Sequence, residues 1–332
     1  MGTRSESLHP GDLVELRSPD EIGETLDAEG ALDHLPFMPE MLEFYGQRFR
    51  VAQRALTACY YGPDSSRGFH ADDVVTLDGV RCSGVAHDGC QKACTVFWRE
   101  AWLQRADRSS ATPQADLQKI EALRSRLKVS IRPETYYCQA SEILKATGAL
   151  SRQGRMTRYV RGLRAGNFNV LEMANSIATY LFLRCRRKLF GPFPRGKGKR
   201  TPADTLNLQP GEWVEVKSFK SIIDTLDELG RNRGLHFSAD MRRWCGRKLR
   251  VKGRLDKMIA DGTGQMKSFH NTVCLEGSTC GCSYMGGLGM AGCSRCELTY
   301  WREIWLRRCG EPDREAAQAT AVRASSGGLP QA

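Results

Sequence analysis

The sequence predicts an α+β fold: two copies of a small, partly open β-barrel module with short helices, joined by a helical segment. Three observations carry that prediction. Residues 11–54 align with 211–254 at a constant offset of 200 and without a gap, and 16 of the 44 positions are identical. These include Gly11/Gly211, Val14/Val214, Ile22/Ile222, Phe37/Phe237, Met41/Met241, Val51/Val251 and Arg54/Arg254. After a loop of different length the match resumes, with Leu77-Asp78-Gly79 on Leu275-Glu276-Gly277, Cys82 on Cys280, and Trp98-Arg99-Glu100 on Trp301-Arg302-Glu303. A module of about 95 residues therefore occurs twice. Second, short alternating apolar–polar runs within each copy are separated by turn and cap signals, the pattern of strands and short helices. Third, the unrepeated stretch between the copies carries apolar residues at helical spacing.

In chain order, Gly11–Arg17 alternates as a half-buried strand does. Ser18-Pro19-Asp20-Glu21 is a capping box with proline at the first helical position, which starts a short helix burying Ile22 and Leu26. Pro39–Tyr45, closed by Gly46, predicts a second short helix with a glycine C-cap. Arg48–Ala55 and Val74–Leu77 predict strands, and Phe97–Leu103 a last, aromatic-rich strand. Trp98, Trp102, Trp301 and Trp305 recur as Trp-Arg-Glu-x-Trp and read as core and rim packing, with stacking on a base or sugar as the alternative. Arg99/Glu100 and Arg302/Glu303 read as internal ion pairs. Between the modules, Gln114–Lys128 places Leu117, Ile120, Leu123 and Leu127 on one helical face. Thr157 is a cap for a helix ending before Gly166. Asn169 with Glu172 opens a helix to about Phe190 that is apolar nearly all round, as a helix buried between the modules is. The expected organisation is a tail over 1–10, module one over 11–105, a helical connection over 106–190, a basic linker over 191–210, module two over 211–309 and a tail over 310–332.

The opening Gly-Asp-Leu-Val-Glu-Leu resembles the first strand of SH3-like barrels of the KOW type. Taken whole, each module is similar to those of an uncharacterised, cysteine-rich bacterial protein family. The resemblance spans most of the chain and implies no established activity.

With 332 residues, 41% hydrophobic and 26% charged, the chain has the composition of a folded protein of about two domains rather than of a disordered one. The longest apolar stretch, Val170–Leu183, is interrupted by Glu172, Asn175 and Ser176 and is too short to span a bilayer. Met1–Pro10 holds Arg4, Glu6 and His9 and no apolar run, so a cytoplasmic location is expected. The net charge of +11 is unevenly spread: residues 11–105 carry −7, residues 106–210 carry +13 and residues 211–309 carry +6. Two readings of this partition stand. The basic middle and second module bind nucleic acid or another polyanion, or the acidic first module docks on the basic middle within the chain. Arg184, Arg186, Arg187 and Lys188 complement the C-terminal end of a helix dipole. Arg195, Lys197, Lys199 and Arg200 have no such local reason and are the candidate polyanion contacts.

Thirteen cysteines in a reducing compartment point to metal binding or chemistry before disulfides. In module one, Cys82, His87, Cys90 and Cys94 fall within 13 residues, with Gly84 and Gly89 to turn the chain. Three thiols and an imidazole are the donor set of a Cys₃His zinc site, since Zn²⁺ takes four soft or borderline donors in a tetrahedron. Cys59 and, less well, His70 are substitutes. In module two, Cys280, Cys282, Cys293 and Cys296 form two close pairs, each able to grip one edge of a tetrahedron. Zinc is expected ahead of an iron–sulfur cluster, with iron or copper as further options. Cys138 and Cys185 read as core cysteines.

Two functions follow as expectations. The first is a zinc-stabilised tandem-module binding protein that contacts nucleic acid or another polyanion. The second is a metal-dependent enzyme of a bacterial biosynthetic pathway, its site at the module-one Cys/His cluster between the modules, with Glu100 or Asp88 as proton carrier. No HExxH, nucleotide loop, dinucleotide fingerprint or Ser-His-Asp order is present.

Overall fold

A computed structural model of the chain describes residues 7–60, 66–107, 116–190, 194–280 and 294–311. It divides into two compact units. The first comprises Met1–Leu181 with Lys257–Ser268 and Tyr284–Glu297; the second comprises Phe182–Asp256, Phe269–Ser283 and the chain from Leu298 onward. A hairpin of the second repeat thus belongs to the first unit.

The first unit is built on a curled five-stranded antiparallel sheet: β1 (Leu13–Leu16), β2 (Arg48–Arg54), β3 (Val74–Arg81), β4 (Thr95–Arg99) and β5 (Leu103–Arg105). Their order across the sheet is β4-β3-β2-β1-β5. The second unit repeats it with β6 (Trp213–Val216), β7 (Lys248–Arg254), β8 (Thr272–Thr279), β9 (Leu298–Arg302) and β10 (Leu306–Arg308), in the order β9-β8-β7-β6-β10. The registers coincide to the residue. Leu13 faces Arg50 and Trp213 faces Arg250. Both second strands bulge at the same place, between Val51 and Gln53 and between Val251 and Gly253. A bulge bends and over-twists its strand, so its repetition preserves the curl of each half-barrel.

Local signals explain most of the elements. Ser18 caps α1 (Pro19–Thr25) and Glu21 returns the bond to the Ser18 amide at 3.0 Å, the reciprocal capping box. Pro39–Phe44 and Ala239–Trp244 are single 3₁₀ helices, ended by Gly46 at φ +75° and Gly246 at φ +77°, where a side chain is strained. The expected last strand, Phe97–Leu103, is broken instead. A one-turn 3₁₀ helix, Glu100–Trp102, separates β4 from β5 and turns the chain to the opposite edge of the sheet. That turn brings both tryptophans inward. Trp98, Trp102, Trp301 and Trp305 are all fully buried. Phe37 meets Trp102 edge-on at 5.1 Å and Phe237 meets Trp305 at 5.3 Å. Trp102 and Trp305 each donate to a threonine hydroxyl one repeat apart, Thr25 and Thr225, at 3.0 Å.

The Arg-Glu pairs of the motif do not bond each other. Arg99 pairs with Asp33 at 2.6 Å and Asp73 at 3.1 Å, and Arg302 donates to the carbonyls of Asn232, Arg233 and His270. Glu100 instead accepts from Arg54 at 2.5 Å and from the Leu8 amide at 3.0 Å. Glu303 does the same with Arg254 at 3.3 Å and the Leu208 amide at 3.0 Å. Each glutamate therefore clasps the chain entering its module. Leu8, in a stretch expected as a tail, is buried; residues 1–6 and 312–332 lie outside the described residues.

The connecting segment contains α2 (Leu117–Arg126), α3 (Gln139–Ala146), α4 (Arg152–Arg164) and α5 (Val170–Phe190). Ser151, not Thr157, caps α4, so the helix starts six residues earlier than the expected position. Asn169 and Glu172 form the expected reciprocal cap of α5, both bonds at 2.8 Å. The expected burial of α5 does not occur: Val170, Leu171, Leu181, Phe182 and Leu189 are exposed. Apolar character round a helix states what the surface is made of, while burial depends on whether another element covers it. No helix among the described residues is long and apolar enough to cross a membrane.

Candidate functional site: a thiol-lined cavity and a basic strip

The first unit holds a small, partly open cavity of about 20 Å³, room for one water-sized sphere. Four cysteines line it, Cys82, Cys90, Cys94 and Cys138, with Met38, Gly84, His87, Lys92, Ile259 and the start of α3 beside them. Three of the expected cysteines thus converge, and a fourth joins them from 44 residues beyond Cys94. The loop that delivers them is tight. Gly84 stands at φ +71°, and a β-carbon there would lie 2.0 Å from the Cys90 carbonyl. Cys94 is tied to Cys82 through the Cys82 amide and Cys94 carbonyl at 2.9 Å.

A backbone amide reaches one of the sulfurs. The Ile259 amide donates to Cys90 Sγ at 3.3 Å. Cys138 sits at the N-cap of α3. Burial opposes ionisation of the thiols: it pushes Cys94 up to about 12 and Cys138 up to about 11, and raises Cys82 strongly. Lys92 beside Cys94 pulls the other way but does not outweigh burial. Among the described residues no three His, Cys, Asp or Glu side chains stand close enough together to form a ready-made metal site.

His87 is fully buried, and both of its ring nitrogens are engaged. Nδ1 lies 2.6 Å from Glu40 Oε1 and Nε2 lies 2.9 Å from the Tyr137 carbonyl. The Tyr137 carbonyl can only accept, so Nε2 carries a proton. Burial works to lower the imidazole pKa, but the Glu40 carboxylate outweighs it and the net shift is upward. Glu40 Oε2 is buried and has no hydrogen-bond partner.

Beside the cavity, Lys92 joins a buried ionic quartet. It pairs with Asp261 at 2.5 Å and Glu297 at 3.2 Å, while Arg295 pairs with the same two acids at 3.0 and 2.5 Å. All four side chains are at most 4% exposed. The set is neutral, so each charge is compensated within the group. It fixes the hairpin Lys257–Ser268 and residues 294–297 to the cysteine loop.

The other predicted site residues are placed as follows. Cys59 is half-buried and does not line the cavity. His70 is exposed, beside an open concavity that also involves Asp33, His34 and Lys145. Asp88 pairs with Lys257 at 3.0 Å. Cys280 is half-buried in the second unit and Cys296 is exposed in the first; Cys282 and Cys293 lie outside the described residues.

In the second unit, Arg195, Lys197, Lys199 and Arg200 are all exposed. The residues between them are not. Gly196 donates to the Asp227 carbonyl at 2.9 Å and Gly198 to the Leu226 carbonyl at 3.3 Å. A β-carbon on Gly196 would lie 1.8 Å from Leu226 O. The glycines thus lay the segment flat against the 226–227 backbone while the alternate residues project. None of the four cations forms an ion pair with a described acidic residue. Cations of the connecting segment differ: in the first unit Lys119 pairs with Asp20, Arg161 with Asp72, and Lys128 with Glu29.

No protein-family model, curated protein or solved structure matches the chain. The class the geometry defines is a duplicated half-barrel protein with a thiol-lined cavity in its first unit and a basic strip in its second.

Proposed function

We propose that this is a non-catalytic, metal-stabilised binding protein whose second unit takes a polyanion, with single-stranded nucleic acid as the polyanion that fits best. The observation that carries the reading is the strip Arg195–Lys199. Its cations alternate with glycines pinned to the backbone, so successive cations on the projecting side lie about 6.6 Å apart, two extended residues. A row of fixed charges suits a chain of phosphates better than a globular acidic partner does.

The divergence between the repeats supports the same unit. Leu42, Glu43, Gln47 and Ala52 of the first copy correspond to Arg242, Arg243, Arg247 and Lys252 of the second. On β7 the residues Lys248, Arg250 and Lys252 are exposed in alternation with inward Leu249 and Val251. Half-buried Trp213 stands opposite Arg250 on the neighbouring strand, an aromatic face beside the cations.

In this reading the cysteine cluster of the first unit is structural and holds zinc, which thiolate donors in a reducing compartment favour over harder ions. The lining of one pocket by Cys82, Cys90, Cys94 and Cys138 supports that. The enzyme reading draws no comparable support: His87 has no free ring nitrogen, and Glu100 is occupied as a clasp.

The test is binding to a labelled single-stranded oligonucleotide across a salt series. Affinity should fall steeply with salt. Replacing Arg195, Lys197, Lys199 and Arg200 together by alanine should reduce the log–log slope by about 2–3, at roughly 0.7 per phosphate contact. Salt-independent binding, or a slope the quadruple variant leaves unchanged, overturns the reading.

A further inference from the structure

We propose that α5 is an interfacial helix that docks on an anionic membrane surface, with its exposed apolar stripe among the acyl chains and its cations at the lipid headgroups.

The stripe follows from the periodicity of the helix. Val170, Leu171, Leu181, Phe182 and Leu189 are exposed, and at about 100° per residue they fall within one sector of about 120°. The small residues in that sector, Ala174, Ala178 and Cys185, are exposed as well, so no polar side chain interrupts it before Lys188 at its edge. Ser176, on the opposite side, is buried. The helix therefore rests on the protein by its other face and turns the apolar one outward. This is a concentration and not a scatter of single side chains. Of the eleven large apolar side chains exposed among the described residues, seven lie on α4 and α5, with Met156 and Val160 one turn apart on α4.

Charge selects the occupant. Residues 151–190 carry nine basic residues and a single acid, Glu172, which is already engaged with the Asn169 amide at the start of α5. Part of the α4 charge is used internally, since Arg158 donates to the carbonyls of Leu56 and Phe69 and Arg161 pairs with Asp72. On α5 the cations border the stripe. By helical position Arg184 and Lys188 lie along one edge and Arg186 along the other. A second α5 packed on this face would bring more cations and one occupied acid, so pairing of two copies is opposed by like charge. An anionic bilayer offers an apolar layer to the stripe and negative headgroups to its borders, where long basic side chains reach outward. The helix is not apolar enough to cross a membrane, so it lies along the surface.

The full-length protein is floated with vesicles of phosphatidylcholine alone and with vesicles containing about one third phosphatidylserine. It should float with the anionic vesicles at low salt, less as salt rises, and remain unbound with phosphatidylcholine alone. Leu181→Gln combined with Phe182→Gln should lower the partition coefficient at least about tenfold. Both side chains are exposed, so the thermal unfolding profile should be unchanged, as should affinity for the single-stranded oligonucleotide. Lys188→Glu should weaken binding to the anionic vesicles. Phe182→Trp gives a readout that does not depend on a loss: its emission should shift to the blue when anionic vesicles are added. No flotation at low salt, or flotation that the double variant leaves unchanged, overturns the proposal. A dimer in sedimentation equilibrium that the double variant dissociates assigns the face to a second copy instead. Loss of oligonucleotide affinity in the double variant assigns it to nucleic acid, and either result overturns the membrane reading.

Discussion

Asp261 shows how much one residue can carry. Its carboxylate answers both cations of the quartet, and although burial raises its pKa, Arg295 and Lys92 hold it well below the usual carboxylate range. Removing one member of a buried charge set leaves the others uncompensated. Asp261→Asn should therefore lower unfolding stability by about 3–5 kcal/mol, measured by urea titration. His236 behaves differently. Burial, with Arg231 beside it, depresses its pKa below the ordinary 6.5, against the smaller pull of Asp240 and Asp227. The unfolded chain thus takes up the proton before the folded one does. Stability associated with His236 is present above pH 6.5 and lost as pH falls from there through the folded value. Thermal unfolding between pH 7 and 5 should show this decline, and His236→Gln should flatten it.

At the scale of elements, the basic strip depends on backbone contact as much as on charge. Gly196→Ala changes no charge, yet its β-carbon cannot fit against Leu226 O at 1.8 Å. Lifting the strip should weaken oligonucleotide binding several-fold at fixed salt, about 1 kcal/mol, with the salt slope preserved. Fluorescence anisotropy measures both. If affinity is unchanged, the strip does not need its anchoring. The helices carry a parallel lesson. The caps at Ser18 and Asn169 were readable because a capping box is a contact between residues three apart. Burial of α5 was not, because what covers a helix comes from distant sequence.

For the whole molecule, duplication makes matched experiments possible. Trp102 and Trp305 fill equivalent places, each fully buried, each against its phenylalanine and each bonded to its threonine. Trp102→Ala and Trp305→Ala should each cost the unit that contains it about 3–5 kcal/mol, read by denaturant unfolding. A much smaller loss in one would mean that its core can collapse around the gap. The two copies share a core and differ in their outer chemistry. The first keeps the cysteine loop with its converging thiols, and the second gathers exposed cations.

The repeat, its strands, most helix starts and the thiol-rich loop at 82–94 were legible in the sequence, because identity at a fixed offset and contacts a few residues long are written along the chain. Cys138 was not legible as a companion of Cys82, Cys90 and Cys94, nor His87 as the partner of Glu40 and Tyr137. Nor could spacing reveal that a hairpin of the second repeat belongs with the first unit. Those relations join residues 40 to 200 positions apart, and only the closing of the chain around its tryptophan cores decides which distant side chains share a cavity.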